Sequence, residues 1–320
     1  MLYLGKKDIL EAVTMSDVID AIDASYEIYQ SNQFQMPPRM QVKDNDNTLL
    51  LMPCITDKAI GTKLVTSFPH NSDHPVLHGL VILNSQENGE IMALMDGSFI
   101  TGFRTGAIGG SAIRHLSNKD ASKIAIIGTG VQGLYQVIAA CTERQITDIY
   151  LYNRSADKIP SFINSLREWI EDSIRIHPKD SAEEAVIHAE IIITATTSKV
   201  PVLPDKPELL ANRLIIGVGS FQPAMREFPR SLYQSADYIF IDTVDAIAES
   251  GDIATPLSNN WISQETVLTM ASYIAAKSEF NFQDNKTVVF KSTGMALFDV
   301  AVANLIYQLA TEKEVGIDLN

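Results

Sequence analysis

Residues 122–133 read Ser-Lys-Ile-Ala-Ile-Ile-Gly-Thr-Gly-Val-Gln-Gly, and this stretch decides the fold. The apolar run Lys123–Ile127 predicts a buried strand, and the residues after the last glycine predict a helix. In that setting Gly128, Gly130 and Gly133 match the fingerprint of a dinucleotide-binding turn. These glycines allow a tight turn, the approach of a pyrophosphate to the backbone, and close packing of helix on strand. The helix N-terminus adds N–H donors and a favourable dipole for the phosphates.

Strands and helices alternate in the chain that follows this turn. Runs rich in Ile and Val predict strands at Asp148–Tyr152, Glu190–Thr194, Leu214–Val218 and Tyr238–Ile241. Helices are predicted between them at Gln132–Thr142 and Lys158–Glu171. Because such alternation is typical of βαβ units, we predict an α/β Rossmann fold, a doubly wound parallel sheet, over residues 117–291.

The segments on either side of this domain show another pattern. A helix is predicted over Val13–Gln30, with Ser16 as its cap. Short strands are then predicted at Thr48–Met52, Gly61–Thr66, Leu80–Leu83 and Glu90–Met95, with a hairpin turn at Glu87-Asn88-Gly89. A last helix is predicted over Ser292–Leu309. We expect it to return to the first domain, which makes residues 1–116 and 292–320 one discontinuous α+β substrate-binding and dimerisation domain.

The chain is acidic and of ordinary hydrophobicity. Its 320 residues carry a formal net charge of −14, and 46% of them are hydrophobic, as in a globular protein. Nucleic acids and anionic membranes bind clustered Lys and Arg, so this balance argues against both partners. No apolar run approaches the roughly 20 residues that span a bilayer, and residues 1–11 do not resemble a secretory signal. Cys54 and Cys141 have no metal or redox spacing, so we expect two small core residues in a reducing cytoplasm.

The end of the second predicted Rossmann strand indicates which dinucleotide is bound. Enzymes that use NAD usually place Asp or Glu here, where the carboxylate binds the ribose hydroxyls. This chain has Asn153, followed by Arg154 and Ser155. The missing carboxylate removes repulsion towards a 2′-phosphate, and the guanidinium offers that phosphate a charged partner. We therefore expect NADP(H), with NAD as the alternative.

Three basic residues lie in apolar or conformationally restricted surroundings. Arg39 follows two prolines, Lys63 lies within a predicted strand, and Arg104 precedes a helix of small residues. Each alone is more often a surface charge or a structural ion pair. Together, in an acidic chain, they predict a pocket for a small amino-acid-like carboxylate.

Three histidines, His70, His74 and His78, are spaced four apart, which on a helix would place them on one face as metal ligands. Pro69 and Pro75 argue against a continuous helix there. We expect no metal, and a loop with one functional histidine, His78. No Ser-His-Asp or Cys-His arrangement is recognisable.

A set of short motifs resembles one known family. In chain order they are Pro37-Pro38-Arg39, Gly61-Thr-Lys63, Leu94-Met-Asp-Gly97, Thr101-Gly-Phe-Arg104-Thr105, the glycine turn, Glu249-Ser-Gly-Asp252 and Lys291-Ser-Thr-Gly294. This order over nearly the whole chain resembles the ornithine cyclodeaminase/mu-crystallin family. The resemblance implies a homodimer with a Rossmann domain inserted into a substrate domain made from both chain ends.

The resemblance also implies roles for individual residues. Arg39, Lys63 and Arg104 match the substrate carboxylate and imine site, and Thr293 matches a pocket wall near the nicotinamide. The matching cofactor contacts are Thr105, Gly128, Gly130, Val131, Gln132, Gly133, Asn153, Arg154, Ser155, Thr196, Val218 and Ser292.

Two departures from the family pattern bear on the reaction. Phe221 stands where true cyclodeaminases and related alanine dehydrogenases carry a catalytic Asp, and phenylalanine cannot transfer a proton. Val76 stands where many relatives carry Ser or Thr, which removes one hydrogen bond. The ketimine-reductase branch of the family commonly lacks this Asp and commonly prefers NADPH.

These features predict an NADPH-dependent reductase of a small cyclic imino acid. Δ1-Pyrroline-2-carboxylate or its six-membered homologue would give L-proline or L-pipecolate, with Arg39 and Arg104 holding the carboxylate. Lys63, or His78 through water, is the candidate proton source, and the two arginines would lower the pKa of Lys63. The alternatives are a cyclodeaminase, an amino-acid or opine-type dehydrogenase, and a crystallin-like protein that binds NADPH without turnover.

Overall fold

The computed structural model of the chain describes residues 1–276 and 285–319, in two compact units. The first unit is Met1–Arg104 with the chain from Met295 onward, and the second is Thr105–Gly294. The strands are β1 (Leu2–Leu4), β2 (Phe34–Gln35), β3 (Met40–Asp44), β4 (Asn47–Thr56), β5 (Ile60–Ser67), β6 (Leu77–Asn84), β7 (Ile91–Asp96), β8 (Lys123–Ile127), β9 (Asp148–Tyr152), β10 (Arg175–Pro178), β11 (Ile191–Thr194), β12 (Leu214–Gly217), β13 (Tyr238–Ile241), β14 (Val267–Thr269), β15 (Val288–Lys291) and β16 (Ile317–Asp318). The α-helices are α1 (Lys6–Ala12), α2 (Met15–Ser31), α3 (Gly97–Leu116), α4 (Val131–Glu143), α5 (Ile159–Arg167), α6 (Ala182–Val186), α7 (Pro207–Leu210), α8 (Arg230–Ser235), α9 (Ala246–Glu249), α10 (Gly251–Ser258), α11 (Met270–Ala275) and α12 (Ala296–Glu312). Two short 3-10 helices lie at Ala156–Lys158 and Gln264–Thr266.

The second unit is built on a parallel sheet with the strand order β10-β9-β8-β11-β12-β15-β13-β14. The order runs outward from β8 in both directions, so the chain reverses between β8 and β11. The predicted fold class, a doubly wound parallel sheet inserted in a discontinuous second domain, is confirmed. Such sheets bind ligands in the crevice outside the carboxyl ends of the strands, at this point of reversal.

Strand β15 is not identified by the sequence analysis. It returns from the far edge of the sheet to lie between β12 and β13, and all four of its residues are buried. The last of these, Lys291, is therefore a lysine in the interior of the sheet. Such a charge requires partners, and the carboxylates of Glu227 and Asp252 provide them.

The first unit contains a sheet with the order β16-β1-β7-β6-β5-β4-β2, in which β3 also pairs with β4. Only β1 and β7 run parallel; the other described neighbours are antiparallel. Helix α12 packs on one face, where a Cβ on Gly61 would lie 2.8 Å from Cγ2 of Val300. Because side chains alternate along a strand, Lys63 lies on this same buried face of β5.

The opposite face of this sheet is apolar and only partly buried. Leu51, Leu64 and Leu80 are aligned across β4, β5 and β6, and each is half buried. Towards the two edges, Met40 is 58% exposed and Ile317 is 56% exposed. A contiguous apolar face of this kind marks an interaction surface.

The first long helix, α2, begins at Met15, after the predicted start at Val13, and its cap is not the predicted residue. Thr14, and not Ser16, is the cap of α2: its hydroxyl accepts a hydrogen bond from the Asp17 N–H at 3.3 Å. The Thr14 N–H donates to Asp17 Oδ2 at 2.8 Å, which completes a capping box. Val13, predicted to begin this helix, instead follows the end of α1.

The C-terminal helix begins at Ala296, and the prediction of a start at Ser292 was wrong. The N–H groups of Thr293 and Gly294 donate to the buried carboxylate of Asp242. Gly294 has a φ of +71°, which lies outside the helical region. These bonds delay the helix by one turn.

Helix α3 contains the point at which the chain passes from the first unit to the second. Its residues from Thr105 onward belong to the second unit, whereas the boundary predicted from the sequence lies after residue 116. Packing accounts for this position, since a Cβ on Gly106 would lie 2.6 Å from the carbonyl oxygen of Tyr135 in α4. Neither α3 nor any other helix in the described parts of the chain is long and apolar enough to cross a membrane.

Candidate active site

The glycine-rich turn connects β8 to α4. Gly128 has a φ of +107°, and a Cβ there would lie 2.6 Å from the carbonyl oxygen of Ala195. A Cβ on Gly133 would lie 2.3 Å from the carbonyl oxygen of Gly128. Both positions therefore require glycine. Gly130 faces open space, with no heavy atom within 4 Å of its Cβ position, so a ligand can approach its backbone.

The same turn carries polar groups suited to a pyrophosphate. In the described parts of the chain, the buried Thr129 hydroxyl and the Gln132 side-chain oxygen have no hydrogen-bond partner. Gly130 caps α4 without a side-chain hydrogen bond, and Val131, the first helical residue, is 66% exposed. A helix N-terminus whose donors are not satisfied by a side chain is an anion site. The turn therefore fits a dinucleotide.

Asn153 links this turn to the loop after β9. Its Oδ1 accepts a long hydrogen bond from the Thr129 N–H at 3.4 Å, and its Nδ2 donates to the Ser155 carbonyl at 2.8 Å. Arg154, which lies between Asn153 and Ser155 in the sequence, is exposed. The loop therefore places an amide where NAD enzymes have a carboxylate, followed directly by an exposed guanidinium.

Three other residues assigned to the cofactor follow the carboxyl ends of central strands: Thr196 follows β11, Val218 follows β12 and Ser292 follows β15, next to Thr293, the expected pocket wall. Thr105, also assigned to the cofactor, lies in α3, where its carbonyl accepts a hydrogen bond from the Gln136 side chain. Val218 is buried and donates its N–H to the Thr194 carbonyl. The positions that follow β11, β12 and β15 share one edge of the sheet, which is the edge that binds ligands in doubly wound folds.

Two buried carboxylates hold the loops at this edge, and sequence reasoning missed both. Glu227 accepts hydrogen bonds from the Thr196 N–H at 2.7 Å and the Thr196 hydroxyl at 2.9 Å. Asp242 accepts from the Ser292 hydroxyl at 2.7 Å. Burial raises the pKa of both carboxyls, and the hydrogen bonds that they accept oppose this effect. Neither acid belongs to a recognisable local motif; only the burial of a charge in the fold reveals them.

The first unit contains a buried ion cluster. Lys63 Nζ lies 2.8 Å from Asp299 Oδ2, and Arg104 Nε donates to Asp299 Oδ1 at 2.9 Å. The three side chains come from β5, α3 and α12, and they are at most 6% exposed. The structure thus brings together two of the predicted substrate residues and adds a carboxylate that the sequence analysis did not select. An acid within an otherwise apolar helix was the available signal.

The environment of Lys63 lowers its pKa to about 8. Burial is the largest cause, the neighbouring Arg104 adds to it, and Arg39 contributes a smaller effect in the same direction. Asp299 acts in the opposite sense, because its carboxylate stabilises the ammonium. Lys63 is therefore a lysine that can give up a proton near neutral pH.

Burial also raises the pKa of the Cys54 thiol to about 12, so this cysteine is a neutral core residue.

His78 does not join this cluster. It is opposite Thr66 in the register of β5 and β6, whereas Lys63 is opposite Val81, so the histidine lies on the other face of the sheet. It is exposed and lines a separate cavity of about 380 Å³. His78, expected as the alternative proton source to Lys63 through water, is therefore separated from the Lys63 cluster by the sheet, because a shift of one residue along a strand changes the face.

His70, another histidine of the triplet, has a partner of its own. His70 pairs with Asp46 at 2.8 Å, and both side chains are exposed. Cys141, the second cysteine, is half buried and free. Within residues 1–276 and 285–319, no three His, Cys, Asp or Glu side chains are grouped as metal ligands.

The fold and these two groups of residues define an NAD(P)-dependent oxidoreductase, with a dinucleotide turn in one unit and a buried cationic cluster in the other. Residues 2–314 match the ornithine cyclodeaminase/mu-crystallin family. A Δ(1)-pyrroline-2-carboxylate reductase of Bacillus cereus is 30% identical over 324 residues, with 99% of this chain and 98% of that protein covered. The chain therefore belongs to the ornithine cyclodeaminase/mu-crystallin family.

Solved structures show the same architecture over the full length. The Δ(1)-pyrroline-2-carboxylate reductase of Thermococcus litoralis, in complex with NADH and L-proline, has a TM-score of 0.92 at 28% identity, and all of both chains is covered. An archaeal alanine dehydrogenase dimer with bound NAD has a TM-score of 0.90 at 29% identity, with 100% of this chain and 99% of that chain covered.

Proposed function

We propose that this protein is an NADPH-dependent reductase of small cyclic imino acids, namely Δ1-pyrroline-2-carboxylate, its six-membered homologue, or both. The observation that carries the proposal is the buried cluster of Lys63 and Arg104 around Asp299. Two cations share one carboxylate there, so the cluster retains positive charge for a substrate anion. The similarity to reductases of this name supports the same substrate class.

The roles of the residues follow from their charges. Arg104 and Arg39 bind the substrate carboxylate, which fixes the carbon of the C=N bond for hydride transfer. When bound, the reduced nicotinamide supplies the hydride to that carbon. Lys63 donates a proton to the imine nitrogen, since an iminium ion accepts hydride more readily than a neutral imine. The products are the cyclic amino acid and the oxidised dinucleotide.

The preference for NADPH rests on the loop after β9. Asn153 provides no carboxylate to repel a 2′-phosphate, and Arg154 is exposed and positively charged. NAD(H) is the alternative cofactor, and the solved relatives contain NADH or NAD. A comparison of NADPH with NADH at saturating imine decides between them, with a lower KM expected for NADPH.

The loop after β12 disfavours cyclodeamination. Phe221 lies there, 44% exposed, at the position where the family's deaminating members carry an aspartate. An apolar ring can shield the site from water but cannot move a proton. We therefore assign reduction of a preformed imine to this chain.

A substrate panel tests the proposal directly. Purified protein is mixed with NADPH or NADH and with each cyclic imine, or with pyruvate plus ammonia, and absorbance at the reduced nicotinamide band is followed. In a separate assay the protein is mixed with ornithine and NAD and the released ammonia is measured, because cyclodeamination regenerates NAD and leaves the absorbance unchanged. Oxidation of NADPH with either cyclic imine supports the proposal. Failure with both imines contradicts it. Turnover with pyruvate and ammonia alone would assign the protein to the alanine dehydrogenase activity of its relatives.

We also propose a homodimer formed through the partly buried apolar face of the first unit's sheet. Leu51, Leu64 and Leu80 form the centre of that face. A second copy of this chain presents the same apolar surface, and a twofold axis pairs such surfaces with each other. The related alanine dehydrogenase is a dimer, which supports a dimeric assembly.

A further inference from the structure

Glu227 occupies a central position beneath the carboxyl ends of β11 and β12. Its Oε1 accepts the two hydrogen bonds from Thr196, and its Oε2 accepts from the N–H groups of Gly219 at 2.8 Å and Ser220 at 3.2 Å. The side chain is fully buried. Four donors from two different loops therefore converge on one carboxylate, which favours its ionised form.

A second acid and a lysine complete this buried group. Lys291 Nζ lies 3.8 Å from Glu227 Oε2 and 3.4 Å from Asp252 Oδ2, and all three side chains are 0% exposed. Asp252 Oδ1 accepts hydrogen bonds from the Glu227 N–H at 2.7 Å and the Phe228 N–H at 3.0 Å. Taking three charges out of water is costly, so their geometry must be specific to be tolerated. This desolvation cost argues against the view that the three charged side chains only fill space.

The two loops that Glu227 joins are in direct contact. A Cβ on Gly219 would lie 2.0 Å from the carbonyl oxygen of Thr196 and 2.6 Å from Glu227 Oε1. No side chain larger than hydrogen fits between the loops while the carboxylate holds them. The position of one loop therefore fixes the position of the other.

These loops lie on the nicotinamide side of the crevice. In doubly wound sheets the residue that reads the adenosine ribose follows the second strand, which here is β9 with Asn153. Strands β11 and β12 lie on the other side of the point of reversal. The loops held by Glu227 are thus separated from the adenosine end by the glycine turn.

We propose that Glu227 is a positioning residue for the nicotinamide half of the dinucleotide, acting through the Thr196 and Gly219–Ser220 loops that it joins. The Lys291 and Asp252 side chains hold its charge in place. The inference rests on the dinucleotide dependence of the proposed function. It goes beyond that function by assigning the placement of the nicotinamide to a fully buried residue that acts through the loops it holds.

The variant Glu227→Gln tests this role. An amide nitrogen cannot accept a hydrogen bond, so at least one of the two loops loses its acceptor. We expect the Kd for NADPH, measured by nicotinamide fluorescence without substrate, to rise about tenfold or more, because a bond to a charged group is worth about one tenfold step or more. The Kd for 2′-phospho-ADP-ribose, which lacks nicotinamide, should stay within about twofold by calorimetry. In turnover, the KM for NADPH should rise while the KM for the imine changes little.

Three outcomes would overturn the proposal: an NADPH Kd within twofold of the parent, equal weakening for both ligands, or an equal rise in both KM values. The matched control is Glu183→Gln, which removes an exposed carboxylate paired with Lys206 in the same unit and should leave both Kd values unchanged. If Glu227→Gln does not fold, Glu227→Asp keeps the charge but shortens the side chain by one methylene, so the carboxylate cannot reach both loops, and it should give the same loss confined to NADPH. If the parent protein binds NADPH but does not reduce an imine, the proposed function is contradicted, while the Kd comparison for Glu227→Gln can still be made.

Discussion

Lys63 is a residue whose protonation state is set by its neighbours. Burial and Arg104 lower its pKa to about 8, so the ammonium form, the proton donor in the proposed function, is lost as pH rises through this value. We expect kcat/KM for imine reduction to fall above about pH 8. The kcat profile should fall at higher pH, because a bound substrate carboxylate stabilises the ammonium. A pH–rate profile with NADPH measures both, and a kcat/KM that is level from pH 7 to 10 would exclude Lys63 as the donor.

Asp299 opposes this shift, since its carboxylate stabilises the Lys63 ammonium. The variant Asp299→Asn keeps the shape of the side chain and removes the charge. We expect the falling limb of kcat/KM to move to lower pH, with activity at pH 6 retained better than activity at pH 8. An unshifted limb would show that Asp299 does not set the charge of Lys63. Arg114→Lys provides a control, because Arg114 pairs with Glu143 away from this cluster.

The residues of the site were unequally predictable. Lys63 and Arg104 were visible as cations in apolar surroundings, but Asp299 is 195 positions from Arg104 in the chain, and only the fold brings them together. His78 shows the opposite case, because a residue close in sequence to the cluster lies on the other face of the sheet. Local context therefore indicated which charges would be buried and did not indicate their partners.

At the scale of elements, the capping box of α2 gives a direct test of helix-start geometry. Thr14→Ala removes the hydroxyl that accepts the Asp17 N–H. We expect a loss of about 1 kcal/mol in the free energy of unfolding, the usual cost of deleting such a cap. Ser16→Ala is the matched control, since Ser16 is exposed in the first turn and should change stability by less than about 0.5 kcal/mol. Urea titration measures both, and equal effects of the two substitutions would contradict the assignment.

The elements of the Rossmann unit were predictable because each strand is a short apolar run between polar turns. Strands β8, β9 and β13 have the bounds that the sequence predicts. Strand β15 was not predicted. Its four residues enter the sheet between β12 and β13, a position that the order of the strands in the sequence does not reveal. The start of α12 was misplaced for a related reason, since Asp242 binds the N–H groups of Thr293 and Gly294 from another strand end.

At the scale of the whole molecule, the sequence order of the elements was sufficient for the fold class. A turn between a strand and a helix, followed by regular alternation, requires a parallel sheet because each crossover returns the chain to the same edge. The placement of the last helix beside the first sheet depends on contacts such as Gly61 with Val300, which no local pattern contains. The assembly of two chains is a separate question, and a substitution on the open face of the first unit's sheet tests it.

The apolar face of the first unit's sheet predicts how two copies associate. Ile82 lies on this face in the central strand β6, half buried and paired with Thr62 and Leu94 in register. Ile82→Lys places a charge at the centre of the proposed interface, while in a monomer the long side chain can reach water. An unpaired buried charge costs several kcal/mol, so we expect dissociation to shift by at least about a hundredfold. In analytical ultracentrifugation the parent should sediment at twice 35.2 kDa and the variant at 35.2 kDa. Ile187→Lys, an equivalent change at an exposed isoleucine in the second unit, should remain a dimer, and a monomeric parent or a dimeric Ile82→Lys variant would refute this interface.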